Sequence, residues 1–199
     1  MSTSFNFTSG VFQGIVPPSF RSQFGASVQQ TQAAVANSAV IYNGDIVAIS
    51  SGVISQAISL PSTNNTGSLS GGSTSIYGIA LQNFTANASG VDTTTQPGVT
   101  VTTCAVALFD ANMLLLLPGY NATSSSATLA AWTVGTSYQF GRYRGASSTS
   151  WWYYIGTTTT NGEMEYEEQY GLSNTQFTST WIYPPIWLRV NGAYRQGGY

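Results

Sequence analysis

The sequence predicts an all-β fold, either a small β-barrel or a sandwich, with an N-terminal arm and a C-terminal β extension. Short runs of aliphatic, β-branched and aromatic residues recur roughly every 10 to 15 residues, with turn residues between them. Asn43-Gly44 and Ser51-Gly52 are two-residue turn signals that separate three short apolar runs. No amphipathic helical segment exceeds about 12 residues. These observations favour antiparallel sheets over alternating strands and helices.

Residues 1–36 are predicted to form the arm. Pro17-Pro18 interrupts regular backbone hydrogen bonding in this stretch. Its aromatic residues follow no regular period: Phe5, Phe7, Phe12, Phe20 and Phe24.

Residues 37–156 are predicted to form the β core. The runs "AVIY" and "DIVAIS" flank Asn43-Gly44 and predict a hairpin. Residues 46–49 are all apolar, which is typical of a strand covered on both faces. Residues 98–109 are rich in β-branched residues and long enough to cross a sheet. The run "MLLLL" at 113–117 fits either a strand or a buried helical turn, and Pro118-Gly119 ends it.

Residues 157–199 are predicted to form the C-terminal extension. The later strand candidates, two of which lie in the extension, are "TLAAWTV", "SYQFGRYR", "WWYYIG", "EMEYEEQY" and "PIWLRV".

Charge is scarce in this chain. Only 6% of its 199 residues are charged, against roughly 25% in an ordinary globular domain. The net charge is −2, without Lys or His, so the sequence offers no basic stripe for nucleic acid. Low charge also reduces the electrostatic repulsion that opposes association between molecules. The composition therefore suits a protein that is part of an assembly.

No targeting or membrane segment is predicted. The first residues lack the basic and apolar regions of a signal peptide, and the longest purely apolar run is residues 113–117. A membrane-spanning helix needs about 20. We therefore expect a chain that is made and used without secretion and does not contact a membrane.

Catalytic residue types are also scarce. Without His, and with Cys104 as the single cysteine, the chain cannot build Ser/His or Cys/His nucleophiles or a Cys/His zinc site. Carboxylates are the remaining acid–base groups: Asp45, Asp92, Asp110, Glu163, Glu165, Glu167 and Glu168. The sequence therefore predicts neither an enzyme nor a protein with a cofactor or metal.

Asp45, Cys104 and the glutamates near residue 165 are each expected to have a structural role. Asp45 follows Asn-Gly and is expected to close the turn, and Cys104 lies in a β-branched run and is expected to be buried and unreactive. In "GEMEYEEQY", Glu163, Glu165 and Glu167 would share one strand face. A solvated face is the favoured interpretation, and a calcium site or a catalytic pair are the alternatives.

Arg142 and Arg144 are two residues apart, which places both on one strand face. They fit a surface pair, or an ion-pair anchor to a partner or to the glutamate cluster. The run "WWYY" at 151–154 alternates between two faces, so at least two large aromatic side chains are expected to be exposed unless something covers them. Such a surface fits a protein contact or a sugar-binding platform.

The order of motifs from residue 38 to residue 155 resembles the head decoration, or cement, proteins of tailed bacteriophages. The matching succession is "GD-x-V", "G-x-a", "G-I-A" and "G-x-x-V-x-V". It falls on Gly44, Asp45, Val47, Gly52, Gly78, Ile79, Ala80, Gly98, Val99 and Val101. The later "TVGTSYQFGRYRGASSTSWWYY" is similar to a stretch of the cyanophage-type members. The first 36 residues and the extension lie outside the resemblance, and the lack of Lys departs from it.

The resemblance implies a β-tulip-like barrel that binds the outside of the major capsid shell and stabilises it by bridging subunits. It implies a homotrimer on the virion exterior, made in the host cytoplasm, whose partners are the major capsid protein and itself. A carbohydrate-binding module, or another virion structural domain of a fibre or tail, is the alternative.

Both ends of the chain combine aromatic residues, arginine and a Pro-Pro pair, a composition that favours interface contacts. Fifteen residues are candidates for contact with the capsid or with another subunit, and we call them the predicted contact residues. They are Phe5, Phe7, Phe12, Phe20, Arg21, Phe24, Arg142, Arg144, Trp151, Trp152, Trp181, Tyr183, Trp187, Arg189 and Arg195.

Overall fold

The computed structural model describes residues 19–22, 28–64, 66–72, 75–94, 98–111, 113–120, 132–145, 151–169 and 185–195. These residues form fifteen strands and no helix, which confirms the predicted all-β fold. Within the same residues no helix meets the length and hydropathy that crossing a bilayer requires.

The strands are β1 (Ser19–Ser22), β2 (Gln30–Ala34), β3 (Val40–Ile41), β4 (Ile46–Ser50), β5 (Val53–Gln56), β6 (Thr66–Leu69), β7 (Ile76–Ala80), β8 (Phe84–Thr85), β9 (Thr103–Leu108), β10 (Met113–Pro118), β11 (Ser137–Tyr138), β12 (Phe140–Arg144), β13 (Trp151–Ile155), β14 (Met164–Gln169) and β15 (Pro185–Val190). The run at 113–117 is therefore a strand and not a helical turn.

The strands form three sheets and one ribbon. Sheet I has the order β2-β9-β7-β4-β5, sheet II the order β1-β10-β15-β14-β11, and sheet III the order β13-β12-β6, while β3 pairs with β8. Adjacent strands in every sheet are antiparallel. None of the described sheets closes into a barrel, so the sandwich-like alternative describes the architecture.

The sheets are joined by isolated parallel bridges. Gly119 bridges Ile155 between the end of β10 and β13, and Ile76 of β7 bridges Arg195 beyond β15. A third bridge, between Val35 and Ile54, brings the two edges of sheet I together at one point. Sheet I is therefore strongly curled but remains open over most of its edge.

Sheet I is covered on both faces, as the unbroken apolar run in β4 predicts. Ile46 belongs to the main core, which sheets I, II and III share, whereas Val47 points into a second core closed by β3 and β8. The alternation follows from the period of two along a strand. Both side chains are fully buried.

The two turn signals behave differently. Ser51 and Gly52 both have positive φ values, 51° and 82°, and join β4 to β5 in the predicted two-residue hairpin. At Asn43-Gly44 only Gly44 has positive φ, 89°, and β3 pairs with β8 instead of β4. The predicted hairpin at this position is wrong, because a type I′ turn needs positive φ at both central residues.

Strand pairing runs through both predicted ends of the chain. Within residues 1–36, β1 pairs with β10 and β2 pairs with β9. Within residues 157–199, β15 pairs with β10 and with β14. The described parts of the arm and the extension therefore belong to the same sheets as the middle of the chain.

Candidate functional site

Asp45 stands at the entry to β4, directly after Gly44. Its backbone N–H donates to the Tyr42 carbonyl at 2.9 Å, which confirms the predicted turn closure. Its Oδ2 atom accepts hydrogen bonds from the Tyr42 backbone N–H and from Gln56 Nε2, both at 2.8 Å. The side chain is fully buried, so it is held between the turn and β5.

Arg142 reaches Asp45 from β12, in a different sheet. Its Nη2 lies 2.6 Å from Asp45 Oδ1, and its Nη1 donates to the Ile58 carbonyl at 3.0 Å. Both side chains have 0% exposure. The guanidinium carbon also lies 4.4 Å from the centroid of the Trp151 ring, within the range of a cation–π contact. The ion pair therefore ties sheet I to sheet III.

Tyr153 of β13 completes this group. Its hydroxyl donates to Asp45 Oδ1 at 3.3 Å and accepts from the Ile46 backbone N–H at 3.2 Å. Burial raises the pKa of Tyr153 well above its ordinary value, and the Asp45 charge raises it further. The phenol therefore stays protonated as a hydrogen-bond donor. We call Asp45, Gln56, Arg142, Trp151 and Tyr153 the interlayer cluster.

The electrostatics of the interlayer cluster favour a fixed structure over chemistry. Burial raises the pKa of Asp45 above its ordinary value, while the Arg142 charge and the hydrogen bonds to the carboxylate oppose that shift. A carboxylate that is fully buried and paired offers no open face to a substrate. The cluster therefore joins layers in the way a structural anchor does.

Sequence reasoning missed this pairing. Asp45 and Arg142 are 97 residues apart, and the sequence pattern alone predicts that Arg142 is a surface residue or an anchor to a partner or to the glutamates. The structure corrects this, because its guanidinium is buried against Asp45. One signal was available: Asp45 is the only charged residue between positions 22 and 91. A lone charge in an apolar strand needs a buried counter-charge.

The glutamate cluster does not form one solvated face. Glu163 precedes β14 and is fully buried, and its Oε2 accepts a hydrogen bond from Ser70 Oγ at 2.5 Å. Glu167 lies 3.2 Å from Arg189 in a half-buried ion pair on sheet II. Over the described ranges, no group of three or more His, Cys, Asp or Glu side chains is arranged to hold a metal ion.

Cys104 is buried in the second core, which confirms its predicted location. Its Sγ lies 3.9 Å from the Gln82 carbonyl oxygen. Burial raises the pKa of the thiol to about 11. The reactive thiolate is therefore disfavoured at neutral pH.

The predicted contact residues near the two ends of the chain lie partly outside the residues that the structure describes. Phe20 and Arg21 lie in β1, whose backbone pairs with β10. The remaining residues of this group lie outside the described part of the chain: Phe5, Phe7, Phe12, Phe24, Trp181 and Tyr183.

The other predicted contact residues are not exposed. Arg142, Trp151 and Trp187 are buried. The half-buried members are Arg144, Trp152, Arg189 and Arg195. Arg144 Nη1 donates to the carbonyls of Pro61 and Ser62 at 2.9 and 3.0 Å, so it braces a loop of its own chain.

The aromatic run in β13 is likewise covered by its own chain. Trp151, Tyr153 and Tyr154 are buried and Trp152 is half-buried, so other parts of the same chain cover the rings that were expected to be exposed if left uncovered. One face of β13 packs on the main core. On the other face, the Tyr120 ring meets Tyr154 edge-on at 5.5 Å. The alternation of side chains along a strand shows which residues share a face, but it does not show which other residues cover that face.

In comparisons with known proteins, no family model matches the chain, and neither a curated protein nor a solved structure matches it significantly.

Proposed function

We propose that the chain is a bacteriophage capsid decoration protein. In this proposal it binds the outside of the major capsid shell, bridges neighbouring subunits and thereby stabilises the shell. The action is structural: association shifts the equilibrium towards the assembled state by mass action. It requires no catalytic group, cofactor, nucleic acid or membrane.

One observation carries the proposal: the motif residues of the resemblance lie on neighbouring strands. Asp45 leads into β4, Gly52 forms the turn to β5, and Gly78 lies in β7, which pairs with β4. The last motif, residues 98–101, leads into β9, which pairs with β7. A succession of short motifs that maps onto one continuous part of a sheet is less expected by chance than scattered matches.

The interlayer cluster adds a physical reason for such a role. A cement protein transmits load between subunits, and it does so only if its own layers do not slide. The Asp45–Arg142 pair and the Tyr153 hydrogen bond connect β4 of sheet I with β12 and β13 of sheet III. The fully buried charge at Asp45 thus serves rigidity.

We also propose that the protein is a homotrimer on the capsid exterior, with the major capsid protein and itself as partners. This oligomeric state is implied by the family resemblance. Native mass spectrometry of the purified protein tests it, and a strictly monomeric protein at all concentrations would argue against it.

The alternative of a sugar-binding platform has no observation in its favour in the run "WWYY". A platform needs exposed rings, and three of these four are buried.

Capsid binding is the direct test of the proposed function. Capsids are assembled from the major capsid protein that the same genome encodes, incubated with the purified chain, and sedimented. We expect co-sedimentation at a fixed ratio that saturates, with a higher temperature of capsid opening. Capsids of an unrelated phage are the control. Absence of binding, or equal binding to both capsids, would contradict the proposal.

A further inference from the structure

Sheet I carries no charged residue in any of its five strands. The only charge between positions 22 and 91 is Asp45, which is fully buried. The exposed surface formed by the described residues in that range is therefore neutral. Charged side chains are one of the means by which a protein protects its sheet edges against pairing with another chain.

The outer edge of β2 has backbone groups that face away from its neighbour β9. The Gln29 carbonyl accepts from the Leu108 N–H, and the Val35 N–H donates to the Thr102 carbonyl, so odd-numbered residues face β9. Because hydrogen bonding alternates along an antiparallel strand, Gln30 and Gln32 direct their N–H and C=O groups outward.

The part of this edge that contains Gln30 and Gln32 is accessible. Gln30, Gln32 and Ala34 are exposed. Within the described residues, β5 meets this side at the Val35–Ile54 bridge, where the Ala36 N–H donates to the Ile54 carbonyl at 2.9 Å. Among the strands of the described residues, none pairs with Gln30 to Gln32 on this side.

We propose that this edge is a self-association site at which β2 of a second copy pairs with β2. The pairing is antiparallel about a two-fold axis at Thr31, so that Gln30 lies opposite Gln32 of the second copy. This register satisfies about four outward backbone hydrogen bonds. The result is a continuous sheet that runs through both molecules. Because a two-fold contact joins copies in pairs, this site is separate from the contacts that build the proposed trimer.

The charge distribution selects a second copy as the occupant. In this register Gln30 of one copy meets Gln32 of the other, so like charges at these two positions would repel the second copy. This edge has none. The Gln30 and Gln32 amides supply both donors and acceptors, which makes them complementary to themselves.

The edge strand β6 of sheet III is a weaker candidate. It is also neutral, but it is shorter and contains Gly67, which gives a pairing strand no side chain to pack.

The inference goes beyond the proposed function, because it concerns contact between copies and needs no capsid. The test adds like charges to the edge with Gln30→Lys/Gln32→Lys. The control Thr158→Lys/Thr160→Lys adds the same charge, two residues apart, at exposed positions away from sheet I. Unfolding curves establish that both variants remain folded.

Sedimentation equilibrium at concentrations up to about 1 mM, a range suited to a small contact, measures self-association. We expect the edge variant to associate at least about tenfold more weakly at low salt, because the lysines lie opposite one another. Added salt should recover part of the loss, and the control should match the unmodified chain. Equal association of both variants, or no self-association of the unmodified chain, would overturn the proposal.

The variant Thr31→Cys reports the two-fold register. Residues at a non-hydrogen-bonded pair lie about 4.5 Å apart between Cα atoms, so oxidation should give a disulfide-linked dimer. Gln29→Cys, which is exposed but removed from the axis, is the matched control. Failure of Thr31→Cys to cross-link faster than Gln29→Cys would overturn the assigned axis. Loss of capsid binding with intact self-association would overturn only the proposed function.

Discussion

Asp45 and Arg142 illustrate why a buried charge needs several partners in the folded protein. Two charges removed from water lose their hydration, and only close pairing with further hydrogen bonds offsets that loss. Here the carboxylate accepts from the Tyr42 N–H, Gln56 and Tyr153, and also meets Arg142. Removing one partner leaves the other charge buried.

We therefore expect Asp45→Asn to lower the free energy of unfolding by about 3 to 5 kcal/mol, because Arg142 would keep an uncompensated buried charge. Urea denaturation measures the change. The half-buried Glu165→Gln on sheet II is the control and should cost less than about 1 kcal/mol. The double variant Asp45→Asn/Arg142→Met should lose less than the sum of its single changes. A loss below 1 kcal/mol in Asp45→Asn would refute the anchor role.

Cys104 predicts how the stability of the fold depends on pH. Its folded pKa of about 11 lies above the ordinary value of 9.0, because burial disfavours the thiolate. The thiol therefore contributes its stabilisation fully below pH 9.0, and that contribution is lost as the pH rises through 11. Relative to Cys104→Ala, we expect the unmodified chain to lose stability over this interval.

The same shift predicts slow reaction of the native thiol. Labelling by a disulfide reagent at neutral pH should follow unfolding and accelerate in urea. Rapid, stoichiometric labelling of the folded chain would show that Cys104 is accessible and would contradict the strand-interior assignment.

At the scale of elements, the hairpin between β4 and β5 depends on left-handed backbone at Ser51 and Gly52. A Cβ at Gly52 would meet no atom within 4 Å, so only its φ of 82° opposes a side chain. We expect Gly52→Ala to destabilise the fold by about 1 kcal/mol through this conformation alone. Gly192→Ala is the matched control.

Gly192 also has open space around its Cβ position but does not have positive φ. Its replacement by alanine should change the stability by less than about 0.5 kcal/mol. Equal effects of the two substitutions in thermal unfolding would contradict the backbone explanation.

Gly78 in β7 has a different reason to be glycine. A Cβ there would overlap the Ala107 carbonyl oxygen and the Val106 side chain in β9. We expect Gly78→Ala to cost about 3 kcal/mol, more than Gly52→Ala, because two paired strands would have to separate. A smaller loss in urea denaturation than that of Gly52→Ala would show that β7 and β9 adjust easily.

Local patterns predicted local structure well in this chain. The apolar run of β4, the Ser51-Gly52 turn and the strand character of β9 follow from periodicity and turn chemistry. The Asn43-Gly44 hairpin failed because the strand before it found its partner in β8, far along the chain. Pairing partners depend on tertiary contacts that a local pattern does not contain.

The candidate site was harder to predict for the same reason. Residue types identified Asp45 and Arg142 as notable, but their pairing spans 97 positions. The burial of Trp151 was also not predictable, because alternation indicates that two faces exist and not that the core lies behind one of them and Tyr120 behind the other. Burial of both faces became visible only once the sheets were placed.

At the scale of the whole molecule, the protein is a layered β structure with few charges, and such a surface suits contact with other protein surfaces. Its described charges are largely buried or paired within the chain, as at Asp45–Arg142 and Glu167–Arg189. Low surface charge reduces repulsion between copies and between the chain and a shell. This property links the proposed capsid function with the self-association site on β2.

Cryo-electron microscopy of matched capsids tests the central claim most directly. Capsids built from the major capsid protein of the same genome are imaged with and without the purified chain. The account predicts additional density on the outer surface only, with the size of this chain, repeated at three-fold and quasi-three-fold positions of the lattice. A shell whose outer surface is identical in the two reconstructions at saturating protein would contradict it.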